Sequence, residues 1–223
     1  MGTTERKGRE KESRKESIID AAQKVFFEKG LQLSTMDEIA ETAELAKGTL
    51  YLYYHSKEDL YLAVMMRGLR IMHEMFREVA VRKLPVIETL IKFADAYKLF
   101  YEQNKNYFRM LHFFNTPQFH KQVSEKMMKS CDEFNQTLWL MVTEIITQGM
   151  MEEKLRNDLD PIETAIILWS NTSALLMRID GQYEMFKEKL NIDLNNTLRV
   201  SNIWLLESVL TEQGKKDLQA LLN

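Results

Sequence analysis

Cysteine is nearly absent from the chain: Cys131 stands alone among 223 residues, which excludes an internal disulfide and suits a reducing cytoplasm. Proline (3) and glycine (8) are also scarce, and stretches of strict apolar-polar alternation are hard to find. These shortages disfavour β-structure and predict an all-helical fold. No apolar run of about 18 residues occurs, and TTERKGREKESRKES stands near the start instead of an apolar signal region. We therefore expect a soluble, cytoplasmic protein without a membrane anchor.

A strong excess of positive charge is also missing. The formal net charge is −3 and the pI is about 5.9, which is unlike a dedicated nucleic-acid-binding domain. The charge is uneven, however, because residues 1–15 contain six lysines and arginines against three glutamates. This segment is either a solvated tail or a basic arm that lies near phosphates. The length exceeds that of a typical single domain of about 100 to 150 residues, so a small domain joined to a larger one is expected.

Catalytic and metal-binding patterns are lacking as well. The four histidines are His55, His73, His112 and His120. They show no HExxH pairing, no metal-ligand spacing with cysteine, and no adjacent nucleophile and base. The sequence therefore predicts a protein that is not an enzyme and that needs neither a metal nor a cofactor.

The first 80 residues carry helical signals in a recognisable order. Gly30 is a stop signal after a helical apolar repeat. Thr35 and Glu38 have the spacing of a capping box, and Ser56 is suited to cap a further helix. The predicted helices cover residues 11–29, 36–43, 47–53 and 57–81. Two short helices joined by a three-residue turn, between longer ones, outline a helix-turn-helix DNA-binding domain.

The stretch KGTLYLYY places three tyrosines on and just after the third of these helices. At 100° per residue, Tyr54 and Leu50 share the side that suits packing, so Tyr54 is predicted to be buried. The opposite side carries small or aliphatic residues that fit a DNA groove: Gly48, Thr49 and Leu52. Tyr51 and Tyr53 lie on the flanks, where their hydroxyls can reach phosphate oxygens on the two walls of a major groove.

Residues 14–64 closely resemble the N-terminal domain of TetR-family transcriptional regulators. The resemblance rests on AA and F in the first helix, EKG at its end, T-x-x-x-IA, KGTLYxYY and SKEDL, in this order. It implies an all-α fold with a three-helix helix-turn-helix head, here residues 1–60 including the basic arm 1–15. A larger helical domain, residues 61–223, is then expected to dimerise and to bind a ligand.

The resemblance also implies a set of DNA-contacting residues. Thr35 and Lys57 match positions that contact phosphate, and Leu52 is expected to meet base edges, where an aliphatic side chain reads only a thymine methyl. The other matching positions are Lys47, Gly48, Thr49, Tyr51 and Tyr53. The turn departs from the family's usual Ala-Gly-Val-Ser. A left-handed Glu44 would cost on the order of 1 kcal/mol relative to glycine, and Ala46 lacks a capping side chain, typically worth about 1 kcal/mol.

Beyond Pro85 the sequence predicts further helices, among them 118–151, one that begins at Pro161, 195–211 and 214–222. By resemblance the last two long helices pair with those of a second copy; the alternative is that they form intramolecular core. Aromatic, polar and soft apolar residues of the larger domain are candidates for a ligand pocket, although each has ordinary core packing as its alternative. The candidates are Tyr97, Phe100, Phe108, His112, Phe134, Trp139, Asn171 and Met177.

The hypothesis that follows is a homodimeric regulator, most simply a repressor, that binds a palindromic operator in double-stranded DNA. A small apolar or aromatic inducer would release it. The alternative hypothesis is a helical ligand-binding or protein-interaction module that does not bind DNA.

Overall fold

The computed structural model of the chain describes residues 3–114, 119 and 121–223, and the side chains from residue 5 onward. Within these residues the secondary structure is helical, and the single β-bridge joins Leu155 and Leu210. The all-α prediction is confirmed. The described residues form ten helices: α1 (Thr3–Leu33), α2 (Met36–Thr42), α3 (Lys47–Tyr51), α4 (Lys57–Ala80), α5 (Val86–Gln103), α6 (Lys105–Phe114), α7 (Glu125–Met151), α8 (Pro161–Leu190), α9 (Leu194–Val209) and α10 (Glu212–Leu222). Every helix in this described part is too short or too polar to span a lipid bilayer.

Helix α1 is longer than the sequence predicted at both ends. It begins at Thr3 because the polar residues of the arm continue the helix without needing an apolar face. At Gly30 the backbone leaves the helical conformation (φ 72°, ψ 172°), so the predicted stop appears as a kink, followed by one more turn to Leu33. The apolar side of α1 is buried, with Ile18 and Ala22 fully inaccessible to solvent.

The turn between α2 and α3 spans residues 43–46, one residue more than predicted. Glu44 adopts the left-handed conformation (φ 55°), which ends α2 at Thr42. The predicted capping box at the start of α2 is present, and Ala46 makes no side-chain cap at the start of α3. Asp59 N donates to Ser56 Oγ (3.0 Å), as expected for the cap of α4.

The chain forms two compact units, Met1–Ile71 with Asn104–Phe134 and Met72–Gln103 with Asn135–Asn223. In the first unit, Phe26 packs edge-on against Tyr61 of α4 with a centroid separation of 5.2 Å. In the second, buried residues form one cluster: Val86, Ile87, Leu90, Ile146, Leu155, Ala165, Leu206, Leu210 and Leu218. The functional division at residues 1–60 and 61–223 remains a prediction, because packing units do not assign function.

Local capping explains where the later helices begin. The sequence predicted a helix from residue 118, but residues 121–124 form a turn and α7 begins at Glu125, so the prediction is wrong for residues 121–124. Residues 118 and 120 lie outside the described part. Helix α8 begins at Pro161, as predicted, and the side chain of Asp160 caps its first turn. Helix α10 begins two residues before the predicted 214, because Thr211 Oγ1 accepts from Gly214 N (3.1 Å).

Candidate nucleic-acid interface

Leu50 and Tyr54 anchor α3, the helix predicted to recognise DNA, in the first unit. Leu50 is fully buried and Tyr54 is 8% exposed, which confirms the predicted core side of this helix. Burial, followed by the charges of Glu16 and Glu12, raises the pKa of Tyr54 to about 12. With one side anchored, the opposite side of α3 is presented to solvent.

The solvent side of α3 carries the residues that the sequence assigned to DNA. Leu52, directly after the last helical residue, is 82% exposed, and Tyr51 is 40% exposed. Tyr53 and Thr49 are half-buried, and Gly48 is exposed with nothing within 4 Å of an added Cβ. An apolar side chain as open as Leu52 gives the fold almost no hydrophobic stabilisation. Its open position suits contact with a base edge.

Lys47 forms an ion pair with a carboxylate of α2. Its Nζ lies 2.5 Å from Asp37 Oδ1 in α2, and both side chains are more than half exposed. The hydrogen bond to Asp37 raises the pKa of Lys47. Because exposed ion pairs are weak, a phosphate can replace this carboxylate as the partner of Lys47. The helical register of Asp37 on α2 was visible in the sequence, but its pairing across the turn was not.

The N-terminus of α2 is built around Thr35. Its Oγ1 accepts from Glu38 N (3.2 Å), and its own N–H donates to Glu38 Oε2 (3.0 Å). Lys29 Nζ donates to the other oxygen of Glu38 (2.6 Å). The hydrogen bond from Lys29, followed by that from the Thr35 backbone, lowers the pKa of Glu38. Thr35 is therefore fixed at an exposed helix N-terminus, a place that favours anions.

Lys57 stands next to this N-terminus. Its ammonium donates to the carbonyl oxygens of Leu31 (3.0 Å) and Ser34 (3.2 Å). Two of its three donors thus satisfy carbonyls near the end of α1, and the third remains for another acceptor. The structure therefore brings Thr35 and Lys57 together, and Asp37 connects Lys47 to the same helix. Leu33, 75% exposed beyond the kink, is a neighbouring apolar residue that sequence reasoning missed.

The pocket candidates divide between the two units. Phe108, His112 and Phe134 belong to the first, where the rings of Phe108 and His112 meet at 4.5 Å. Those of the second unit are Tyr97, Phe100, Trp139, Asn171 and Met177. Met177 is 40% exposed.

Polar contacts in the second unit include partners that the sequence did not reveal. The hydroxyls of Tyr97 and Ser173 are hydrogen-bonded at 2.9 Å, and burial raises the pKa of Tyr97 to about 12. Asn171 donates to Asn202 Oδ1 (3.2 Å) and accepts from Ser201 (3.0 Å), so its amide joins α8 to α9. Among the described residues, no group of three His, Cys, Asp or Glu side chains is arranged to hold a metal ion.

A short helix anchored on one side, a four-residue turn and a preceding capped helix define a helix-turn-helix protein. Comparison with known proteins shows which family this N-terminal region resembles. Residues 18–64 match the family model described as bacterial regulatory proteins, tetR family. The similarity to the tetR family that the sequence predicted for the N-terminal part is confirmed for these residues.

Two curated relatives match over the same region. The uncharacterized HTH-type transcriptional regulator YfiR of Bacillus subtilis is 36% identical over 59 residues, 26% of this chain and 29% of that protein. The fatty acid metabolism regulator protein of Bacillus subtilis is 45% identical over 47 residues, 21% of this chain and 24% of that protein. The matched segments therefore span less than a third of either relative.

Similarity to a solved structure extends over nearly the whole chain. FadR from Bacillus subtilis, crystallised in complex with stearoyl-CoA, superposes with a TM-score of 0.64 at 20% identity. The match covers 86% of this chain and 98% of that one. At this identity the similarity establishes the fold, an N-terminal helix-turn-helix region and a larger helical C-terminal part.

Proposed function

We propose that this chain is a dimeric, ligand-responsive transcriptional regulator that represses by occupying a palindromic operator in double-stranded DNA. The observation that carries the proposal is the 82% exposed Leu52 at the end of an α3 that is anchored by Leu50. The proposed DNA contacts surround it: Thr35, Lys47, Gly48, Thr49, Tyr51, Leu52, Tyr53 and Lys57. Cations and hydroxyls would bind phosphates, whereas Leu52 would contact a thymine methyl.

The proposed homodimer is supported by apolar side chains that α8 and α9 leave in solvent. Ile162, Ile166 and Met177 of α8 and Trp204 of α9 are each at least 40% exposed. Exposed apolar groups of this kind mark interaction surfaces. The proposed function also requires a dimer, because one short recognition helix reads too few base pairs to select a site.

The proposed inducer is a small apolar or aromatic molecule. Support comes from the aromatic residues of the second unit, where Tyr97 and Phe100 are buried and the rings of Trp139 and Trp169 meet at 5.5 Å. The stearoyl-CoA complex of a protein with the same fold makes long-chain acyl compounds the first class to test. Addition of the inducer should release the operator, and binding would be measured by mass spectrometry of the gently extracted protein.

The DNA-binding function is tested by selecting binding sequences from random duplex DNA at about 100 mM salt. At this salt concentration counterion release still permits specific binding. We expect enrichment of an inverted repeat. The double variant Lys47→Ala/Tyr51→Phe should then bind that repeat about tenfold more weakly, and the salt dependence should become shallower by about 1 per lost phosphate contact. The matched control is Lys187→Ala/Tyr183→Phe, which removes the same groups from α8.

Two results would contradict the proposal. If a folded dimer enriches no sequence, the chain is a ligand-binding or protein-interaction module without DNA binding. If the Lys47 variant and the Lys187 control bind the repeat equally well, α3 is not the recognition helix.

A further inference from the structure

One exposed ion pair joins α2 to α3. Lys47 is the first residue of α3, and its Nζ lies 2.5 Å from Asp37 Oδ1 in α2. The side chains of Lys47 and Asp37 are 56% and 66% exposed, so the pair is open to solvent. Tyr51 follows Lys47 by four residues, one turn along α3, and stands on the same side of the helix. The carboxylate of Asp37 therefore lies among the residues proposed to contact DNA.

The fold does not depend on this ion pair. The start of α2 is already capped, because Thr35 and Glu38 form a complete capping box. The turn before α3 is closed by the hydrogen bond from Leu45 N to the carbonyl oxygen of Ala40 (2.9 Å), and Leu50 anchors α3 by its burial. An exposed ion pair adds little to such a framework. The charge of Asp37 thus matters more for what approaches α3 from solvent than for stability.

The ammonium of Lys47 attracts DNA less while Asp37 neutralises it. Together the two side chains carry no net charge. When Lys47 moves to a phosphate, the carboxylate of Asp37 loses its partner and stays next to the negative DNA backbone. The phosphate must displace one anion and then lies close to it, and both effects oppose binding. Neither effect depends on the base sequence, because phosphates carry no sequence information.

We propose that Asp37 competes with DNA phosphates for Lys47 and thereby limits the affinity of the chain for duplex DNA of any sequence. The inference rests on the proposed function and adds a residue that weakens DNA binding. Weaker binding suits a regulator that an inducer must release, because coupling between two sites typically changes an affinity by only about 5- to 150-fold. Asp37 would keep the operator affinity low enough for such a coupling to reverse it.

The test compares Asp37→Asn with a matched control on two duplexes, the enriched inverted repeat and a scrambled sequence of equal length. Asparagine keeps the shape of the aspartate side chain and removes its charge. The control is Asp95→Asn, because Asp95 also pairs with an exposed lysine, Lys92 (3.1 Å), and both lie in the second unit. Affinity is measured over a range of salt concentrations on each duplex.

Asp37→Asn should bind both duplexes more tightly than wild type. Removing one negative charge beside the phosphates should steepen the slope of log affinity against log salt by about 0.9 per protomer. If binding is equal at about 1 M salt, this slope gives roughly an eightfold gain in affinity per protomer at about 100 mM. Asp95→Asn should keep the wild-type affinity and slope.

A second comparison tests whether Asp37 acts through Lys47. In the Lys47→Ala background the carboxylate has no ammonium to bind, and only its repulsion of the phosphates remains. The gain from Asp37→Asn should therefore be about two- to fivefold smaller in this background, which is the effect of one exposed ion pair. Equal gains in the two backgrounds would overturn the competition for Lys47.

The outcomes separate this inference from the function on which it rests. Unchanged or weaker binding by Asp37→Asn would overturn the role of Asp37 while leaving operator binding in place. A gain or loss on the inverted repeat alone would show that Asp37 contacts a base, such as the amino group of cytosine, and would overturn a sequence-independent role. A wild-type protein that selects no DNA would overturn the proposed function and this inference with it. Circular dichroism checks folding, and Asp37→Ser, which removes the same charge, should repeat the gain.

Discussion

Glu44 shows how one residue sets the geometry of the turn before α3. Its φ of 55° lies in the left-handed region, where a side chain is strained and glycine is not. The sequence predicts this strain if Glu44 is left-handed, and the structure shows that Glu44 is left-handed. The turn nevertheless closes, since Leu45 N donates to the carbonyl oxygen of Ala40 (2.9 Å). The chain therefore keeps the helix-turn-helix geometry at a local cost in stability.

Replacing Glu44 by glycine should stabilise the protein. Removing the side chain relieves about 1 to 2 kcal/mol of strain, and the added freedom of the unfolded chain offsets about 0.4 to 1 kcal/mol of that gain. We expect the free energy of unfolding to rise by roughly 0.5 to 1 kcal/mol, measured from urea denaturation. Glu41→Gly, within α2, is the control and should lower it by about 1 kcal/mol. A loss of stability in both variants would show that Glu44 is not strained.

At the scale of helices, Arg67 connects α4 to α1 and, through a shared partner, to α6. Its guanidinium donates to Asp20 Oδ1 (2.6 Å) and Gln23 Oε1 (3.2 Å), and it also binds Glu16. Tyr107 of α6 donates to the same oxygen of Gln23 (2.6 Å). The Arg67 side chain is only 18% exposed, so these bonds are shielded on the arginine side. One planar group thus fixes the orientation of α1 in the first unit.

Removal of the Arg67 side chain should destabilise the first unit. We expect Arg67→Ala to lower the free energy of unfolding by about 2 to 3 kcal/mol, since hydrogen bonds to charged groups contribute about 1.5 to 3 kcal/mol. Arg67→Lys keeps the charge but not the planar set of donors, so about half of this loss is expected. Arg70→Ala, at an exposed position of the same helix, is the control and should stay within about 0.5 kcal/mol of wild type. Denaturation midpoints that are equal for Arg67→Ala and Arg70→Ala would exclude this role.

The sequence was informative where structure depends on neighbours along the chain. The capping box of Thr35 and Glu38 and the start at Pro161 are local patterns that were located correctly, and the stop predicted at Gly30 is a kink within α1. The exposed position of Leu52 followed from helical geometry alone. The start of α1 was missed because a polar helix shows no apolar repeat.

Contacts between helices could not be predicted from the sequence. The pair of Lys47 with Asp37 joins two helices, and Lys57 reaches carbonyls 23 and 26 residues away. Arg67 finds its partners more than 40 residues away. Such contacts depend on how helices pack, which residue spacing does not record. The DNA-contacting roles and the ligand pocket remain predictions for the same reason, since they involve molecules outside the chain.

At the scale of the whole molecule, the proposed function depends on two copies acting together. The exposed apolar residues of α8 and α9 have the chemistry of an interface, with Ile166 at 45% and Trp204 at 68% exposure. The polar contacts of Asn171 with Ser201 and Asn202 already join these two helices within one chain. The outward apolar side chains are thus free to pack against a second chain without disturbing that connection.

Charge placed on this surface should separate the copies. Ile166→Glu/Trp204→Glu introduces two carboxylates at positions already open to water, so each chain should keep its fold while an apolar interface loses its packing and gains like charges. We expect sedimentation to show a monomer. Affinity for the inverted repeat should fall about 100-fold or more, because the second half-site no longer binds as part of a linked pair.

The control Leu99→Glu/Leu140→Glu charges two apolar residues of α5 and α7 with 43% and 52% exposure, and it should leave both the dimer and the affinity intact. A dimer that persists in the α8 and α9 variant would place the interface elsewhere, whereas a monomer that still binds the repeat at full affinity would remove the need for two copies.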